Sequence, residues 1–166
     1  MLIRISAVIL IILCGAFFGV DRSEKLKKRV DLCRDIEKML YICEYSIKSS
    51  DEDVYGITKR IEEADLPGIC FIKNIPVSYK AGANFRVDWE RAVFKSQLPY
   101  EERNLLIEFG SVLGTSDTER QLRTISAFID EVHTLYEQRR FEYMKKSKLY
   151  RTLGMLAGIM IGIIII

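Results

Sequence analysis

Leu149–Ile166, LYRTLGMLAGIMIGIIII, is the stretch on which the reading of the chain turns. From Thr152 onward it carries no charged side chain, and Gly154, Gly158 and Gly162 recur at every fourth position, along one face of a helix. A core helix would keep a polar face; this stretch has none, so it reads as a membrane-spanning helix. Its uncharged part is about 22 Å long as a helix, so Leu149–Arg151 must dip into the interface or the bilayer must thin.

Upstream, no helix breaker separates Asp117 from Gly154. The pattern predicts one helix that leaves a soluble bundle and enters the membrane, with a cytoplasmic part about 50 Å long. Leu122, Ile125, Ile129, Val132 and Tyr136 keep a three-four alternation. The next seam positions are Arg139, Tyr143 and Lys146, so packing fades toward the membrane end. Ser116 and Glu119 have capping-box spacing at its start.

A second apolar run opens the chain. Met1–Val20 is apolar except for Arg4 and Ser6. It lacks a small-x-small cleavage site before Asp21, and Leu13 occupies the position before Cys14 that a lipoprotein site needs to be small. Leu2–Val20 would make about 28 Å of helix, close to the ~30 Å hydrocarbon thickness, and reads as an uncleaved transmembrane helix. Gly15 and Gly19 give it a G-x-x-x-G face. Three domains follow: a transmembrane helix over 1–20, a helical bundle over 21–150, and a transmembrane helix over 151–166.

Basic clusters flank both runs on their inner sides. Arg22, Lys25, Lys27, Lys28 and Arg29 follow the first, and Arg139, Arg140, Lys145, Lys146, Lys148 and Arg151 precede or open the second. The positive-inside rule places the bundle in the cytoplasm and both termini outside. Of the 25 Lys and Arg, Arg4 and Arg151 lie outside 21–150; the remaining 23 balance the 23 Asp and Glu, all within it. A neutral domain disfavours binding nucleic acid through bulk charge. Cys33, Cys43 and Cys70 form no C-x-x-C pair and read as reduced core cysteines, with Cys14 in the first apolar run.

The middle reads as all-α, a compact antiparallel bundle of about six helices. Over Ser23–Lys48, Leu26, Val30, Cys33, Ile36, Leu40, Cys43 and Ile47 mark a narrow seam, with Asp31, Arg34, Asp35, Lys38 and Glu44 off it. A second helix, capped by Ser50 at capping-box spacing from Asp53, carries Val54, Ile57, Ile61 and Ala64 inward and ends near Leu66–Gly68. Ile69–Lys80 reads as a helix ending near Pro76. In Asn84–Ser96, Val87, Arg91 and Phe94 adjoin Trp89 and Val93, so two faces are gripped. Pro99 opens a helix with Leu105, Leu106, Phe109, Val112 and Leu113 inward and Gly114 as C′ residue.

Catalytic and metal chemistry finds no foothold. No phosphate-binding glycine motif occurs, His133 is the single histidine, and the carboxylate pairs Glu62–Glu63, Glu101–Glu102 and Asp130–Glu131 diverge on their helices. The chain reads as a non-enzyme with no cofactor, no catalytic residue and no metal ligand.

LGTSDTERQ (Leu113–Gln121), the long polar helix after it and KLYRTLGMLAGIMIGIIII (Lys148–Ile166) resemble the stage III sporulation protein AB family of endospore-forming bacteria. VDWERAV around Trp89 is similar to that family's E-A-W-E-E-A-type helix. Trp89, Leu113, Gly114, Ser116, Asp117, Glu119, Gln121, Tyr150, Arg151 and Leu153 carry the likeness. The resemblance implies a component of the channel between mother cell and forespore, with a bundle similar to the F-type platform domain of type II secretion and type IV pilus systems. It implies location in the mother-cell membrane, and contact with a secretion-type ATPase (stage III sporulation protein AA) and other channel membrane subunits. A homo-oligomer is compatible with it. The alternative is a structural tether or holin-like oligomer acting through the glycine-faced helices alone.

Overall fold

The computed structural model describes residues 2–49, 53–76, 78, 84–114 and 118–165, with side chains from Ile9 to Ile163. Among these residues the chain is all-helical, with no strand. Five α-helices are α1 (Leu2–Ser49), α2 (Val54–Glu63), α3 (Phe85–Lys95), α4 (Tyr100–Val112) and α5 (Thr118–Ile165); a 3₁₀ helix, Pro67–Asn74, lies between α2 and α3. The chain divides into two compact units, one of Leu32–Leu135 and the other of Met1–Asp31 with Tyr136–Ile166. Helices α1 and α5 contribute to both. Flanking transmembrane helices gain no support here: among the described residues no helix is long and apolar enough to cross a membrane. Residues 1–8 and 164–166 of the two apolar runs lie outside that statement.

Unit Leu32–Leu135 is the helical bundle, and its core explains which helices form. On α1, Cys33, Ile36, Leu40 and Cys43 are buried as the seam requires, but Leu32, Met39 and Ser46 are buried too. The face is therefore wider than the narrow seam expected, as for a helix packed by several neighbours rather than one. Asp35, expected off the seam, is buried because its Oδ2 accepts a hydrogen bond from the Gly68 N–H at 2.8 Å. That bond ties α1 to the 3₁₀ helix and makes residue 68 a tight position, where a Cβ would sit 3.1 Å from the Leu32 Cα.

Helix α2 starts on Asp53, whose side chain accepts from the Gly56 N–H at 2.9 Å. Ser50, the cap expected from sequence, lies outside the described residues. The helix ends at Glu63, short of Leu66, so Ala64 is an exposed cap rather than a core residue. Pro67 is the cause, since the residue before a proline avoids the α region and Leu66 is extended at φ −87°, ψ 109°. The expected helix before Pro76 exists as a 3₁₀ helix kinked at Ile69. It points Ile69, Phe71 and Ile72 into the core, with Ile75 following.

Trp89 organises the centre. It is fully buried, with Phe71 at 5.3 Å edge-on and Phe109 at 5.9 Å between ring centroids. Its Nε1 donates to the Leu106 carbonyl at 2.7 Å. Gly110 lets α4 approach, because a Cβ there would drive into the indole ring. Phe109 continues the stack to Phe128 of α5 at 5.6 Å. Only one face of α3 is gripped: Trp89, Ala92 and Val93 are buried, while Val87 and Phe94 are exposed. Helix α4 buries Leu105, Leu106 and Phe109 as expected, with Val112 half-buried, and is followed by Leu113 and by Gly114 at φ +81°. In α5, Ile125, Ile129 and Val132 are buried, joined by Phe128, which the alternation had not singled out.

Candidate glycine-packed helix pair

The second unit brings the two glycine stripes together within one chain. Its helical parts are the amino-terminal portion of α1 and the carboxyl-terminal portion of α5. A Cβ on Gly15 would lie 2.5 Å from the Gly154 carbonyl oxygen and 3.1 Å from the Gly158 Cα. On Gly19 it would meet the Tyr150 oxygen at 2.5 Å and the Arg151 Cα at 3.1 Å. Gly154 faces back on Gly15 and Gly19, and Gly158 faces the Ile12 Cα at 3.0 Å. As positions rise along α1 their partners fall along α5, so the segments run antiparallel. The backbones touch, which small-xxx-small spacing makes possible and any side chain forbids. Gly162, one turn on, is buried.

The pair ends in polar contacts. Arg151 Nε donates to Ser23 Oγ at 3.2 Å, and Ser23 is fully buried. Farther along α5, Lys146 reaches Glu142 at 2.6 Å and Arg139 approaches it at 3.7 Å. The hydrogen bond from Lys146 holds the Glu142 carboxyl below its ordinary range, and the same bond raises Lys146 above its own. Lys25 pairs with Asp21 at 2.7 Å, and Arg22 lies over the Phe18 ring at 5.2 Å. Arg139, Tyr143 and Lys146, the positions where the apolar seam fades, are half-buried.

The outer faces of this pair are apolar and bare. Leu10, Leu13, Phe17 and Phe18 on α1 are exposed, with Phe17 at 77%. Leu153, Met155, Leu156, Met160, Ile161 and Ile163 on α5 are exposed as well. Leu10, Leu13, Cys14, Phe17, Phe18 and Asp21 line a shallow groove of about 620 Å³.

The residues carrying the family likeness are not one cluster. Trp89, Leu113 and Gln121 are buried within the bundle, whereas Tyr150 and Arg151 meet Gly19 in the helix pair. Leu153 is exposed, Glu119 pairs with Arg123 at 2.7 Å on the surface, and Ser116 and Asp117 lie outside the described residues. Ser23 was missed from sequence, because a serine among Arg22, Lys25 and Lys27 looks like solvated surface. His133 meets Glu37 at 2.8 Å. Among the described residues no group of His, Cys, Asp or Glu could hold a metal ion.

In comparisons with known proteins, the family model for stage III sporulation protein AB matches residues 4–166. No curated protein matches. No solved structure matches either.

Proposed function

The chain belongs to the stage III sporulation protein AB family, and from that premise we propose a non-enzymatic membrane platform subunit of the mother cell-to-forespore channel. In this reading the Gly15–Gly19 and Gly154–Gly158 pair is a two-pass transmembrane hairpin in the mother-cell membrane. The bundle lies in the cytoplasm, similar to an F-type platform domain, and couples a secretion-type ATPase to the membrane. Both termini lie outside.

The observation that carries it is the glycine-packed pair with its bare apolar outer faces. Contiguous exposed apolar surface of this kind has to be covered, and hydrocarbon covers it without a further protein. Backbone contact through glycines is the packing that helices use where lipid competes equally for larger apolar side chains. The basic side chains at the Asp21 and Tyr150 ends, several neutralised by Asp21, Glu137 and Glu142, support the inside orientation.

Two measurements test it with the full-length chain in membranes. Cysteines placed near each terminus are expected to react with an impermeant maleimide from outside, and native Cys70 only after permeabilisation. The ATPase is expected to co-purify with the solubilised chain; no association in membranes that contain both would sink the coupling role. If the bundle can be exchanged for an unrelated one without loss of sporulation, the structural tether is the better account. A holin-like oligomer built on the glycine faces would first have to break contacts already made within one chain.

A further inference from the structure

The face of α3 that sequence expects to be packed, and that the structure leaves open, meets an unusual arginine on α4. The Arg103 guanidinium carbon lies 5.6 Å from the centroid of the Tyr100 ring and 5.9 Å from that of Phe94, over both rings. Its Nε is buried and has no hydrogen-bond partner. Among the described residues the Arg103 side chain makes no ion pair. Around it, Tyr100 is 68% exposed and Phe94 61%; Val87, two turns before Phe94 on the same face of α3, is 46% exposed.

Neighbouring charges are already engaged. Arg91 donates to Asp88 at 3.0 Å and Arg86 to Glu90 at 3.1 Å, while Glu102 is turned inward toward Cys33. Arg103 therefore carries a positive charge beside this face with no ion-pair partner among the described residues. A charged group short of hydrogen-bond acceptors is destabilising when partly buried, and an acceptor brought to the guanidinium from outside offsets that. The planar fork of a guanidinium matches a carboxylate, and ring faces hold the fork in place. A free anion would satisfy Arg103 but leave Phe94 and Val87 in water. A protein surface with a carboxylate beside apolar side chains covers both, and Arg and Tyr are the residue types that dominate such contacts.

We propose that Val87, Phe94, Tyr100 and Arg103 form the docking surface for a protein partner that presents an Asp or Glu carboxylate to Arg103. This rests on the reading above, that the bundle receives a cytoplasmic partner, and names the chemistry by which it does so. The carboxylate oxygens accept from the guanidinium, and the partner's apolar side chains cover Phe94 and Val87.

The test uses the full-length chain in sporulating cells with the photoreactive residue p-benzoylphenylalanine replacing Tyr100, and as a control Tyr45. The expected result is a light-dependent adduct from position 100 with one protein, absent from position 45. The mapped peptide should contain an Asp or Glu. Arg103→Glu should lower the yield at least tenfold, and Arg103→Lys should also lower it. Changing the partner's carboxylate to Arg should restore the yield with Arg103→Glu. Phe94→Ser, an exposed position outside the core, should lower the yield with an unchanged melting temperature, which separates lost docking from lost folding. No adduct, an adduct only with lipid or with a second copy of this chain, or a yield indifferent to Arg103→Glu would overturn the proposal. An adduct with an acidic partner other than the ATPase keeps this surface and removes the ATPase reading. ATPase co-purification that ignores Arg103→Glu does the reverse.

Discussion

Gly110 sits directly against the Trp89 ring, and alanine at 110 sets two effects against each other. Helix propensity favours alanine over glycine by about 1 kcal/mol. The new methyl would strike the indole, a rigid ring whose Nε1 is committed to the Leu106 carbonyl and which cannot swing aside. Overpacking of this kind costs about 1–3 kcal/mol, so Gly110→Ala is expected to destabilise. Its melting temperature should fall by about 2–4 °C per kcal/mol lost, as read by thermal denaturation. Cys43 offers a second test. Burial pushes its thiol up to about 12 from an ordinary 9.0. The folded state therefore holds that proton more tightly than the unfolded state. The resulting stability is complete below pH 9 and is lost as pH rises toward 12, by about 1.4 kcal/mol per unit. Denaturant titrations of Cys43→Ala should show a flatter decline over that window than the natural chain. Native alkylation at pH 8 should label exposed Cys70 and spare Cys33 and Cys43 until unfolding.

At the scale of elements, the helices were legible from apolar spacing because each bundle helix has one strongly preferred face. Caps were legible where they are local: Pro99 before α4, and Gly114 at φ +81° after it. What escaped was whatever a neighbouring element decides. Asp35 looks solvated until the Gly68 N–H arrives, and Phe94 looks like core until α4 covers only the Trp89 side. The glycine spacing of both apolar runs was visible, but spacing alone could not say that each run is the other's partner. That pairing makes a direct prediction. Gly15→Leu or Gly154→Leu forces side chains where backbone stands at 2.5 Å, and should separate the two segments. Spin labels at Phe18 and Leu153 should report the loss as a longer interspin distance. Asp53→Ala, which removes only the α2 cap, is expected to cost about 1 kcal/mol and leave that distance unchanged.

For the whole molecule, contacts divide the chain between Asp31 and Leu32 and between Leu135 and Tyr136, within α1 and α5. The helix-pair unit is assembled from the two ends of the chain, whereas the bundle is one unbroken stretch. The pairing of Gly15 and Gly19 with residues 150–158 also has a timetable. Gly154 and Gly158 are synthesised after every residue of the bundle, so the glycine face of α1 waits unpaired while roughly 130 residues are made, on the order of ten seconds at ordinary translation rates. During that interval the α5 face of another chain that has not yet closed on itself offers the same surface. Exchange of α5 segments between two chains reproduces every native contact of the pair. A chain produced faster than it can close on itself should therefore accumulate as interlocked dimers, and slower synthesis should restore the self-paired form.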